Sequence, residues 1–234
     1  LELENSPAEF RQLFMCEFVE DGDGVFSWAD LKRCQVDSWE LWGDFYKPLG
    51  LRPAGDLPVW VGYDPAFSGD AAGLVVVLPP RHNGDKFRIL EHKLLRGDDF
   101  ERQAEEVRSL LGRYNVQKVV VDRTGLGEAV FQLVGKFFPR VIGVNYSLAE
   151  KSLMVNKMLS LLRANRVEWD SDCKDITAAF LNIRTFTTAG GRVSYESARP
   201  EPWSHSDVAW AAMQVFYQEP LDGVSQALGT VEIY

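Results

Sequence analysis

The chain has 234 residues, 46% of them apolar and 25% charged, a globular balance that excludes a disordered or fibrous chain and can bury a core without staples. Its formal net charge of −9 argues against tight autonomous binding to nucleic acid, but suits an enzyme that gathers carboxylates around cations and receives DNA from a partner domain. Cys16, Cys34 and Cys173 form neither a disulfide framework nor a thiolate metal site, His82, His92 and His205 are too scattered for a zinc cluster, and no apolar run approaches the roughly 20 residues that span a bilayer.

Leu1 opens the chain and no charged-then-apolar leader follows, so a piece of a longer protein is expected. Pro7 to Val19 spaces Phe10, Leu13, Phe14 and Phe18 for a helix. The acidic turn Asp21-Gly22-Asp23-Gly24 is not a calcium loop, because Val25, Phe26 and Lys32 occupy its fifth, sixth and twelfth positions. Lys47 to Pro58 carries three prolines and two glycines and reads as a linker.

From Val59 the pattern turns to strands. Val59–Tyr63, Gly73–Leu78 and Phe87–Leu95, separated by Gly/Pro/Asn/Asp punctuation, predict an antiparallel meander. Asp98 to Arg113 has helical spacing, with Asp98 or Asp99 as N-cap. Val116–Val121 is a continuous apolar strand of the parallel-core kind. A helix over 128–138, a strand over 141–144 and a helix over 150–164 follow. This βββαβαβα order predicts an α/β fold: a mixed sheet of three antiparallel strands and then parallel βαβ strands, with helices on both faces. Beyond it come a helix over 172–182, a β-hairpin of 183–188 and 192–197 around Ala189-Gly190-Gly191, and a helix over 204–217 with Val208, Ala211, Ala212 and Val215 inward.

Three aspartates end or begin these elements. Asp64 closes the first strand of the meander, Asp122 closes the apolar strand, and Asp207 opens the last helix. Strands one and four of such a sheet are neighbours, so two carboxylates leave side by side and a crossing helix delivers the third. Like charges that close raise one another's pKa, and hard divalent ions with oxygen preference, Mg²⁺ or Mn²⁺, resolve the conflict. Two ions about 3.5–4 Å apart serve phosphodiester hydrolysis. Each aspartate also has a structural alternative: Asp64 as a turn start before Pro65, Asp122 as a loop cap, and Asp207 as part of the capping run Ser204-His205-Ser206-Asp207. Asp70 and His205 are secondary cleft candidates. Lys151, Arg184, Arg192 and Arg199 are candidates for phosphate contacts, which position DNA without reading its sequence.

These phrases carry a resemblance. SPAEFRQLFMCEFVEDGDGVF resembles the segment that joins the ATPase and nuclease domains of tailed-phage terminase large subunits. GYDPAFSGDAAGLVVV, VVVDRTGLGEAV and HSDVAWAAM are similar to the first two strands, the fourth strand and the last helix of the nuclease. The resemblance implies an RNase H-like core at 58–218, a linking segment at 1–57 and a tail at 219–234. It implies Asp64, Asp122 and Asp207 as metal ligands, and cutting of concatemeric double-stranded phage DNA during packaging. The implied partners are an upstream ATPase domain, the small terminase subunit and the portal of the procapsid, in the host cytoplasm. No G-x-x-x-x-G-K-[ST] loop occurs in these residues. The rival readings are a resolvase- or transposase-type nuclease, an actin/hexokinase-like phosphotransferase, and a catalytically silent docking domain.

Overall fold

The computed structural model describes residues 24–43, 53–66, 71–82, 84–97, 99–188, 190–198 and 206–219. The expected helix over 7–19 and the first half of the linker, 47–52, lie outside them. The meander forms as expected: β2 (Pro58–Asp64), β3 (Ala71–Leu78) and β4 (Phe87–Arg96) pair antiparallel. Helix α3 (Phe100–Arg113) starts at Asp99, whose side chain accepts from the Arg102 N–H, satisfying a donor that the helix leaves open. Strand β5 (Asn115–Asp122) then pairs parallel to β2, α4 (Gly127–Gly135) follows, and β6 (Ile142–Val144) pairs parallel to β5. Helix α5 (Leu148–Arg163) is capped by Ser147.

The chain then departs from expectation. Val167–Asp170, which carries two acids in four residues, forms strand β7, parallel to β4. Gln35–Val36 forms β1, parallel to β7 and flanked by α1 (Trp28–Lys32) and α2 (Ser38–Leu41). The result is one seven-stranded mixed sheet ordered β1-β7-β4-β3-β2-β5-β6. Helix α6 (Lys174–Leu181) leads into the hairpin of β8 (Ile183–Thr187) and β9 (Val193–Ser197), a separate two-stranded sheet. Gly24 bridges Arg184 at its edge.

Apolar side chains fill both faces of the large sheet. Val59, Val61 and Tyr63 of β2 join the core beneath α3 and α4, while Val75, Val77 and Phe87 join the core beneath α5, α6 and the last helix, α7 (Asp207–Phe216). Alternation along β2 turns Trp60, Gly62 and Asp64 to the α7 side.

Helix α7 buries the expected Val208, Ala211, Ala212 and Val215, and the rest of Val208 to Phe216 is buried with them. Two glycines allow it to lie directly on the strands. A Cβ at Gly62 would stand 2.0 Å from the Ala211 carbonyl oxygen, and one at Gly73 would stand 2.3 Å from the Asp207 carbonyl carbon. Gln214, inside this contact, donates to the backbone carbonyls of Tyr63 and Val120 at 2.8 and 3.3 Å. The expected serine cap is only half realised. Ser206 is the N-cap residue, but its hydroxyl makes no cap bond and instead accepts from Asn182 Nδ2 at 3.0 Å.

Candidate active site

The register of the sheet brings the three aspartates to one edge. Tyr63 of β2 is level with Val121 of β5, so Asp64 and Asp122 each come one residue later at the ends of adjacent parallel strands. Asp64 is also paired with Gly73, the residue on which the Asp207 backbone rests. Asp122 is buried at 8% exposure, and Asp64 and Asp207 are half-buried.

The electrostatics agree with this placement. Burial pushes the Asp64 carboxyl well above its ordinary pKa, the charges of Asp122 and Asp207 raise it further, and Lys151 opposes them. Burial also raises Asp122, against hydrogen bonds from Thr124 and the charge of Lys151. Among the described residues, no three His, Cys, Asp or Glu side chains form a group able to hold a metal ion. The carboxylates thus share an electrostatic neighbourhood without closing a ligand cage. The chemistry of the donors, all carboxylate oxygens, fits a hard divalent cation.

Thr124 orients one of these acids. Its backbone N–H and hydroxyl both donate to Asp122 Oδ1, at 2.8 and 2.5 Å. The same hydroxyl accepts from the Tyr146 N–H at 2.8 Å. Gly127 permits the tight return of the chain into α4, because a Cβ there would stand 2.2 Å from the Asp122 carbonyl oxygen. The loop after Asp64 is tied from the other face: Tyr63 Oη donates to Gln103 Oε1 at 2.6 Å, and Gln103 Nε2 donates to the Ala66 carbonyl at 2.7 Å.

Lys151 in α5 places its ammonium 5.1 Å from the Trp210 ring centre and 6.0 Å from that of Tyr146. It acts on both Asp64 and Asp122 and so stands beside the acids as a cation of the site. Arg184 donates from Nη1 to the Leu181 carbonyl at 2.9 Å, which ties it back to the end of α6, whereas Arg192 is exposed near the hairpin turn. Asp70, His205 and Arg199 lie outside the described residues.

The sequence reading missed Thr124, Tyr146 and Trp210. Thr124 and Tyr146 follow the C-terminal ends of β5 and β6, the edge where open α/β sheets bind ligands. That topological rule could have found them.

Residues 61–219 match the family described as the terminase RNaseH-like domain. The chain belongs to this family. It is similar to the terminase ATPase subunit of Escherichia phage P2, 46% identical over 230 residues that cover 97% of this chain and 39% of that protein. The probable terminase ATPase subunit of Haemophilus phage HP1 is 35% identical over 214 residues, covering 91% of this chain and 35% of its own length. The chain therefore spans well under half the length of these relatives. Its fold is that of the large terminase nuclease from thermophilic phage G20c with bound magnesium (TM-score 0.66, 19% identity, 85% of this chain and 98% of that one). The Thermus phage P74-26 large terminase nuclease domain is similar too (TM-score 0.63, 18% identity, 87% and 100%). Family membership and the mixed sheet agree with the RNase H-like resemblance read from the sequence.

Proposed function

We propose that this chain is the nuclease domain of a terminase large subunit, a metal-dependent endonuclease that cuts concatemeric double-stranded phage DNA during packaging. The observation that carries this reading is the gathering of Asp64, Asp122 and Asp207, from two strand ends and a helix start, into one electrostatic neighbourhood. That neighbourhood lies within the residues matching the terminase RNaseH-like family. The G20c nuclease was solved with magnesium, with cobalt and with zinc, which supports divalent metal use here.

Asp64, Asp122 and Asp207 are the proposed metal-holding and catalytic residues. Two Mg²⁺ or Mn²⁺ ions would supply activation of water and stabilisation of the leaving 3′ oxygen. Asp122 is pre-oriented, since Oδ1 is committed to Thr124 and Oδ2 is the oxygen left to face a cation. Burial and the charges of Asp122 and Asp207 favour a proton on Asp64, and a cation replacing that proton relieves the repulsion. Lys151 offers a fixed positive charge to a DNA phosphate at the cluster, with Arg184, Arg192 and Arg199 along the hairpin as further phosphate contacts. Asp70 and His205 are proposed as cleft residues.

The domain reading follows: 58–218 the nuclease, 1–57 the segment from an upstream ATPase domain, and 219–234 a tail. The small terminase subunit and the portal of the procapsid are the proposed partners, in the host cytoplasm. Among the described residues, no helix is long and apolar enough to cross a membrane. An actin/hexokinase-like phosphotransferase requires two duplicated subdomains, whereas the described residues hold one large sheet.

The test is cleavage of supercoiled plasmid. The protein is expected to nick and linearise it with Mn²⁺ and to stop in excess EDTA. Asp64→Asn is expected to remain folded and lose cleavage by roughly 100-fold or more. Full cleavage in EDTA, or by the Asp64→Asn protein, overturns the assignment.

A further inference from the structure

Tyr146 lies two residues beyond β6, and its ring packs on Trp210 of α7 with centroids 5.6 Å apart. Its hydroxyl is buried, and among the described residues it has no hydrogen-bond partner. Leaving a buried hydroxyl unsatisfied costs roughly 1–3 kcal/mol, so such a group calls for an explanation.

The surroundings of this hydroxyl supply one. After burial, the charges acting on it are those of Asp64, Asp122 and Asp207, the same three carboxylates that define the site. Burial and negative charge both keep the phenol protonated, which makes it a donor. Its main chain is keyed to the cluster as well, through the bond from Tyr146 N–H to the Thr124 hydroxyl that holds Asp122. The ring is kept in place by Trp210 on one element and by the Lys151 ammonium on another. A donor this firmly placed, with no acceptor among the described residues, is available to an oxygen of something bound.

We infer that Tyr146 is a further catalytic residue, whose hydroxyl donates to a non-bridging oxygen of the scissile phosphate in the carboxylate cluster. The inference rests on the endonuclease reading. A neutral donor suits this place. It adds no charge that would compete with cations for the carboxylates, and its hydrogen bond strengthens as charge builds on the phosphoryl oxygens. Its contribution should therefore fall on kcat rather than on KM.

Tyr146→Phe removes one oxygen and keeps the ring. Plasmid cleavage with Mn²⁺, Mn²⁺ affinity by calorimetry and melting temperature in EDTA are measured on the wild type, Tyr146→Phe and Asp64→Asn. For Tyr146→Phe, kcat is expected to fall roughly 100-fold with KM for DNA changed by less than about threefold. Its Mn²⁺ affinity should match the wild type. Its metal-free melting temperature should be equal or higher, because an unsatisfied hydroxyl has gone. Wild-type cleavage by Tyr146→Phe overturns the inference and leaves the endonuclease reading standing. Lost cleavage that tracks lost Mn²⁺ affinity or a lower metal-free melting temperature assigns Tyr146 to holding the site together and overturns it too. A wild type that neither cleaves nor binds Mn²⁺ more tightly than Asp64→Asn overturns both.

Discussion

Two ends of the same sheet bury acids, and they treat them in opposite ways. On β7, Glu168 and Asp170 are 7% and 5% exposed, yet each is answered. Glu168 accepts from Arg88 Nε at 2.9 Å and Trp42 Nε1 at 2.8 Å, and pairs with Lys86 at 3.2 Å. Asp170 accepts from the Ser38 N–H at 3.2 Å, the Ser38 hydroxyl and the Asp172 N–H at 2.8 Å. At the ends of β2 and β5, the charges of Asp122 and Asp207 act on Asp64, Asp122 is held among the described residues by Thr124 alone, and Lys151 is a cation acting on both strand-end acids. Satisfied acids hold α2 and the Trp42 that follows it to the sheet. Like charges gathered around Asp64 form a place for something else to bind, because folding does not select such an arrangement for stability.

The comparison breaks most visibly at Glu168. Glu168→Ala leaves Arg88, Lys86 and the indole N–H of Trp42 without their acceptor. Removing one partner of a buried ion pair costs about 3 kcal/mol or more, a fall of roughly 6–12 °C in melting temperature for a domain of this size. Cleavage per folded molecule should be unchanged. A thermal melt showing no loss would mean that these acids, too, are not structural.

A smaller effect is expected where the two kinds of region meet, at Gly73. Its missing Cβ lets the start of α7 rest on β3 opposite Asp64. Gly73→Ala forces the helix start outward and costs roughly 1–3 kcal/mol as overpacking. Unlike Glu168→Ala, it should also weaken Mn²⁺ binding and cleavage, because Asp207 moves with the helix. Full Mn²⁺ affinity in this variant, measured by calorimetry, would separate Asp207 from the site.

How far each region was legible in the sequence follows the same division. The meander, β5 and the hairpin were readable because their apolar runs and Gly-rich turns are local signals. The three aspartates stood out because each sits where an apolar element begins or ends. Strand β7 was not readable: Val-Glu-Trp-Asp looks solvated until Arg88, Lys86, Trp42 and Ser38 arrive from distant positions to neutralise it. Burial of α7 on all sides was hidden for a similar reason, since it depends on Gly62 and Gly73, which lie directly beneath the helix but far from it in the chain. Tyr146 carries no local signature either, and only the sheet topology brings it to the carboxylates.

The smallest expected effect is a pH dependence, and it sharpens the contrast between the two kinds of acid. Asp64 has a raised pKa in the folded protein, from burial and then from Asp122 and Asp207. Between the unfolded value of about 3.9 and the raised folded value, the folded state binds more protons than the unfolded state. Stability from this group therefore falls as pH rises through that window. Glu219 has the opposite sign. Burial alone would raise it, but hydrogen bonds and charges from Arg166 and Lys157 outweigh burial and lower it, so its contribution is present at neutral pH and lost on acidification. The raw stability curve sums both kinds, and the difference between Asp64→Asn and the wild type isolates the first. In EDTA, the melting temperature of Asp64→Asn relative to wild type should climb as pH rises above about 4 and level off once Asp64 ionises. Saturating Mn²⁺ should reverse the order, because cations stabilise the wild type and find a weaker site in the variant. A difference that stays flat with pH in EDTA would show that Asp64 is answered after all, like Glu168, and that the two ends of the sheet do not differ as described.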